Sequence, residues 1–131
     1  RRHTEAFMIR FINCVRKRED ISMDEFRRYW NSPEFDQMFG RLFLIIKPKG
    51  FAKNLTLQVS ANQDIQEARG SSDPFDATIE YWWDNATELM ENWDTEDAIK
   101  FHDEMLEFQK QFIDVERCHA FFTEYEPKML S

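Results

Sequence analysis

The sequence holds no run of about eighteen apolar residues, the length a helix needs to cross a bilayer. Its first stretch, RRHTEAF, has neither a hydrophobic signal core nor an initiator methionine. These absences predict a cytoplasmic protein with no membrane partner. Cysteine is scarce too: Cys14 and Cys118 lie near opposite ends, and neither has a second ligand a few residues away, so both are expected to be buried free thiols. The three histidines, His3, His102 and His119, show no short-range pairing, and no carboxylate set stands at ligand spacing, so no metal is expected. Positive charge is in deficit. Seventeen Lys and Arg against 25 Asp and Glu give a formal charge of -8, which repels a phosphate backbone and argues against nucleic acid as a partner. The basic clusters, Arg16-Lys17-Arg18 and the stretch from Lys47 to Lys53, are brief and read as solvated loop charges. GxSxG, Walker A and GxGxxG motifs are missing, which removes support for a hydrolase elbow or a phosphate-cradling loop.

What the chain has in quantity is aromatic surface. Thirteen Phe and four Trp in 131 residues can order one core but not two, so a single domain is expected over 1–131, with flexible ends at 1–5 and 127–131. The segment FMIRFINCV, Phe7 to Val15, is rich in aromatic and branched residues and reads as a strand with both faces largely apolar. Ser22-Met-Asp-Glu25 is a capping box and predicts a helix start. Ser32-Pro33 ends that helix and caps a second, whose Phe35, Met38, Phe39, Leu42, Phe43 and Ile46 form a helical stripe closed by Pro48 and Gly50.

Phe51 to Ser60 alternates Leu55, Leu57 and Val59 with polar residues and reads as a strand with one wet face. Residues 61–74 show no periodicity and read as a long loop. Phe75 to Trp83 predicts a third strand. Asn85-Ala-Thr-Glu88 caps a short helix, and Asp94-Thr-Glu-Asp97 opens another whose seam is Ala98, Phe101, Met105, Phe108 and Phe112. Arg117 to Tyr125 predicts the last strand.

This order, βαββαβ, folds most economically as an α+β ferredoxin-like sandwich, an antiparallel four-stranded sheet with its helices on one side, because right-handed crossovers place both helices on the same face. The other face would then expose Met8, Ile12, Phe121 and their neighbours. A broad apolar sheet marks an association surface, so a homodimer whose sheets face each other, a dimeric α/β barrel, is expected.

The capped helix start MDEFRRYW (Met23 to Trp30), the strand and helix IEYWWDNATELMENW (Ile79 to Trp93) and the ending FIDVERCHAFFTEYE (Phe112 to Glu126) resemble the EthD family of the dimeric α/β-barrel superfamily. The resemblance implies a ferredoxin-like dimer with a small-molecule cleft between sheet and helices. EthD itself is associated with ether-degrading monooxygenase gene clusters, and related fungal proteins are dehydratases or decarboxylases of aromatic polyketides. Superfamily relatives include muconolactone isomerases, polyketide cyclases and quinone-forming monooxygenases, which often use no metal or organic cofactor, so none is expected. The family commonly reads Tyr-Trp, three residues, then His. Here Tyr29-Trp30-Asn31-Ser32-Pro33 leads to Glu34 instead.

Glu34, His119 and Tyr29 are therefore the candidate catalytic residues. A glutamate in an aromatic pocket can exchange protons because burial raises its pKa, although an acid after proline also simply suits a helix N-terminus. Tyr29 can donate to an oxyanion or belong to the core. His119 is either a strand imidazole in a structural hydrogen bond or a base, if its face lines the cleft. Trp30, Tyr81 and Trp82 can form the wall for a planar ligand or pack the core. Arg10 can hold a polar substrate group or pair with Glu80. Three functions fit: cofactor-free proton transfer on a small hydrophobic or aromatic metabolite, of isomerase, dehydratase or cyclase type; non-catalytic ligand binding in an accessory dimer of an oxidative degradation pathway; and a cofactor-independent monooxygenase-like oxidoreductase.

Overall fold

Residues 7–128 are described in the computed structural model. The expected end segments fall largely outside them, at 1–6 and 129–131, and so does His3. Strand β1 spans Met8–Val15. Helix α1, Met23–Trp30, begins at the capping box: Ser22 Oγ accepts from Glu25 N at 3.1 Å and Glu25 Oε1 from Ser22 N at 3.3 Å. Helix α2, Pro33–Ile46, begins one turn later with Ser32 Oγ accepting from Phe35 N at 3.2 Å. It stops at Lys47, which adopts the left-handed conformation at φ 51°. Strand β2 covers Gly50–Leu55, α3 Ser60–Arg69, β3 Ala77–Trp83, α4 Ala86–Trp93, α5 Glu96–Gln109 and β4 His119–Tyr125.

The sheet is antiparallel throughout, in the order β2-β3-β1-β4. This is the ferredoxin-like α+β arrangement expected from the sequence. Register sorts every strand residue to one of two faces. Ile9, Phe11 and Val15 of β1 lie on the same face as Ala77, Ile79, Tyr81 and Trp83 of β3 and Phe51, Lys53 and Leu55 of β2. That face meets the helices, and the core forms there with Phe26, Trp30, Phe35, Phe39, Leu42, Phe101 and Phe112. Trp83 is fully buried, and its Nε1 donates to Ile46 O at 2.9 Å, tying the end of α2 to β3.

Four boundaries depart from the sequence reading. The strand expected over 51–60 ends at Leu55, and Leu57 and Val59 are exposed, so their alternation never meets a partner strand. The expected loop over 61–74 contains α3, a helix without a single buried residue. Its sequence shows no apolar stripe because it covers none of the core. The third strand starts at Ala77 rather than Phe75. The last starts at His119, because Val115–Arg117 coils into a 3₁₀ turn.

Candidate functional site

The break between α1 and α2 carries Tyr29 and Glu34 to one place. Ser32 and Pro33 end one helix and start the next, and the end of α1 and the first turn of α2 meet beside the end of α5. There Tyr29, Ser32, Glu34, Phe108 and Gln111 border a cavity of about 500 Å³. Tyr29 is half-buried, its ring stacked on Phe112 at 5.0 Å with a 2° interplanar angle. That stacking fixes the ring as a wall. Glu34 is exposed at the cavity edge rather than enclosed by aromatics, because a residue in the first helical turn after Pro33 points away from the stripe begun by Phe35. The enclosing aromatic pocket expected around Glu34 is therefore not formed.

His119 is elsewhere. It is the first residue of β4 and pairs with Cys14 on the sheet face turned away from the helices, where it borders a separate cavity of about 400 Å³ with Arg16, Phe75 and Arg117. Glu34 and Tyr29 thus share a cavity that His119 does not line. Trp30 and Tyr81 are core residues, 3% and 6% exposed. Strand alternation turns Tyr81 toward the helices, stacked on Phe11 at 5.4 Å and on Phe51 at 5.9 Å. Burial pushes its phenol pKa up, which keeps it protonated.

Arg10 and Trp82 lie on the open face of the sheet. Arg10 Nη1 donates to Glu80 Oε1 at 2.7 Å, and its guanidinium carbon lies 3.6 Å from the Tyr125 ring centre and 4.7 Å from that of Trp82. Asn54 Nδ2 extends the network to Glu80 Oε2 at 2.8 Å and Thr78 Oγ1 at 2.9 Å. Gly50 permits this packing: a Cβ there would stand 2.3 Å from the Trp82 indole, so only glycine lets the ring lie across β2. The strand charges anticipated as a pair do pair, diagonally across β1 and β3.

The sequence reading missed Lys53. Placed among solvated loop charges, it instead sits at the inward register of β2, its side chain 17% exposed. Nζ donates to Trp30 O at 2.7 Å and lies 4.9 Å and 5.1 Å from the Trp30 and Phe35 ring centres. It thus completes the carbonyl end of α1 and sits against aromatic rings, while burial lowers its pKa and Asp36 partly opposes the shift. The signal was its position between Phe51 and Leu55 on one strand face. The cysteines are free and half-buried, and burial raises both thiol pKa values, which makes them poor nucleophiles. No cluster of three or more His, Cys, Asp or Glu among the described residues could hold a metal, and no helix among them is long and apolar enough to cross a membrane.

No family model matches the chain, and no curated protein sequence matches it either. Its fold is similar to solved structures at low identity. A hydroxynitrile lyase from Passiflora edulis aligns with a TM-score of 0.58 and 13% identity, over 95% of this chain and 99% of that one. An EthD-like protein from Ralstonia eutropha gives 0.57 and 16%, over 90% and 91%. A dimeric ferredoxin-like protein of unknown function from Thermobifida fusca gives 0.56 and 13%, over 92% of each chain. These likenesses establish the ferredoxin-like fold, and the EthD-like neighbour fits the resemblance read from the sequence motifs.

Proposed function

We propose that the protein is an EthD-like homodimer in which each protomer takes a small hydrophobic or aromatic metabolite into the cavity beside Tyr29 and Glu34. The carrying observation is the shared border of that cavity, where a phenol held by stacking, a carboxylate and the Phe108 ring stand around about 500 Å³. A space of that size suits a small organic ligand. Phe108 supplies apolar contact, Tyr29 a donor for a carbonyl or developing enolate oxygen, and Glu34 an acceptor for the proton that moves in isomerisation, dehydration or cyclisation.

The neighbouring lyase and the dimeric ferredoxin-like protein support a fold that can carry such chemistry and such an assembly, but chemistry resides in sites rather than folds. Neither His119 nor Tyr81 belongs to this site. Non-catalytic binding is the second reading, favoured by the exposure of Glu34, because water at that edge competes with a substrate for the carboxylate.

Ligand-observed NMR with 2-naphthol and with a small unsaturated lactone tests binding, and loss of the lactone signal tests turnover. Binding by the parent protein, weakened in Phe108→Ala, supports the site. Turnover lost in Glu34→Gln and Tyr29→Phe at unchanged melting temperature supports catalysis. Binding and turnover unaffected by all three changes would remove the site from consideration.

A further inference from the structure

We propose that Arg16, Arg117 and His119 form a second binding site, for the carboxylate or phosphate group of a small organic anion, at the end of the sheet away from Trp82. It is separate from the Tyr29–Glu34 cavity and does not depend on it. The setting is unusual for a chain with a formal charge of -8. Two guanidinium groups and an imidazole border one cavity of about 400 Å³ together with Ser72, Asp73 and Phe75.

Arg16 is held in place without being neutralised. Its Nη1 donates to Pro74 O at 2.7 Å and its Nη2 to Asp73 O at 3.0 Å, while the guanidinium lies 4.1 Å from the Phe75 ring centre. Both acceptors are backbone carbonyls, and no ion pair joins Arg16 to a carboxylate among the described residues. Three contacts fix the orientation of the group before any ligand arrives, which reduces the ordering cost of binding. The same Phe75 ring meets His119 edge-on, with centroids 5.8 Å apart and an interplanar angle of 88°.

Arg117 is paired with Asp114 Oδ2 at 3.5 Å and Glu19 Oε1 at 3.7 Å, both longer than a good charged hydrogen bond, so an oxyanion that accepts at shorter range competes with these two carboxylates for its fork. One carboxylate, Asp73, also borders the cavity, and its Oδ1 accepts from Gln66 Nε2 at 2.8 Å. A planar or tetrahedral oxyanion matches what remains: the Arg117 fork, the N–H groups of Arg16 that the two carbonyls leave over, an imidazole N–H and the Ser72 hydroxyl. Exposed arginines are commonly only solvated surface charge. The fixed, carbonyl-braced Arg16 and the convergence on one cavity distinguish this cluster from that case.

The test titrates the protein with inorganic phosphate and, separately, with benzoate at constant ionic strength, following side-chain NMR signals of Arg117 and His119. Saturable shifts of both groups are expected, with affinity at least about tenfold weaker in Arg117→Gln and the melting temperature unchanged. Arg16→Gln should weaken binding as well, but it also removes the side-chain contacts to Asp73, Pro74 and Phe75, so Arg117→Gln is decisive. Response to phosphate identifies a phosphate-bearing ligand, and response to benzoate a carboxylate. Absence of saturable shifts with either probe, or saturable binding that Arg117→Gln leaves intact, overturns the proposal.

Discussion

Phe35 has no exposed surface, and its ring meets those of Trp30 at 5.8 Å, Phe39 at 4.5 Å, Phe108 at 5.7 Å and Phe112 at 5.3 Å. It joins both helices of the break to the end of α5, the same three pieces that border the Tyr29–Glu34 cavity. Phe35→Ala is expected to cost about 3–5 kcal/mol, a large share of the roughly 5–15 kcal/mol a domain possesses. Urea unfolding with an unchanged m-value would register it as a lower midpoint. His102 gives a pH-dependent counterpart. Its ring packs on Trp93 at 4.7 Å, and burial lowers its pKa, with Asp103 partly opposing. The unfolded chain therefore takes up this proton near the ordinary value of about 6.5 while the folded state still resists it. Stability must fall as pH drops from there through the lower folded value, and then level off. His102→Gln should flatten that slope in melting temperatures measured between about pH 5 and 7; an identical slope would mean that another group titrates. In the sequence, Asp103 beside His102 suggests a solvated helix surface. Trp93, nine residues away and on another helix, supplies the burial, and no local pattern could reveal that.

The legible elements were those that bury a stripe or carry a cap. Both signals exist for α1, α2, α4 and α5, where Ser22, Ser32, Asn85 and Thr95 each accept from a backbone N–H in the first turn. Helix α3 has neither: its N-cap is Val59, which offers no side-chain acceptor, and its only large apolar residue, Ile65, is 56% exposed. What could have found it is propensity. Ala, Gln, Glu and Arg favour helix, and Gly70 follows at φ 64°, the left-handed stop that glycine adopts without strain. A helix without buried apolar surface draws little stability from packing. Hydrogen exchange followed by mass spectrometry should therefore find the α3 amides exchanging far faster than those of α2, which buries Phe35, Met38, Phe39, Leu42 and Ile46. Equal protection would mean that something covers α3 in solution. The placing of Tyr29 and Glu34 about one cavity was legible to a similar degree. The Ser-Pro break brings those two together, whereas the exposure of Glu34 and the remoteness of His119 follow from how α2 and β4 seat on the sheet.

At the scale of the molecule, the uncovered sheet face remains to be explained. Its middle row runs Ala52, Glu80, Ile12, Phe121, with Phe121 46% exposed, and Met8, Trp82 and Tyr125 extend it toward one end. The two charges within it satisfy each other through the Arg10–Glu80 pair, and Asn54 occupies the second carboxylate oxygen. A face whose charges are neutralised from within can be buried against a copy of itself without leaving a stranded ion. Sedimentation equilibrium is expected to give twice the 15.9 kDa chain mass. Because each protomer carries -8 and the internal ion pair contributes no attraction between protomers, salt should tighten the dimer by screening the mutual repulsion. An interface built on ion pairs across the two chains would loosen instead. Phe121→Glu places an unpaired carboxylate opposite Ile12 at the middle of the face, where burial would strand it, so the variant should sediment as a folded monomer. A dimer that persists in Phe121→Glu would have to use another surface, and the apolar face would then belong to a different partner.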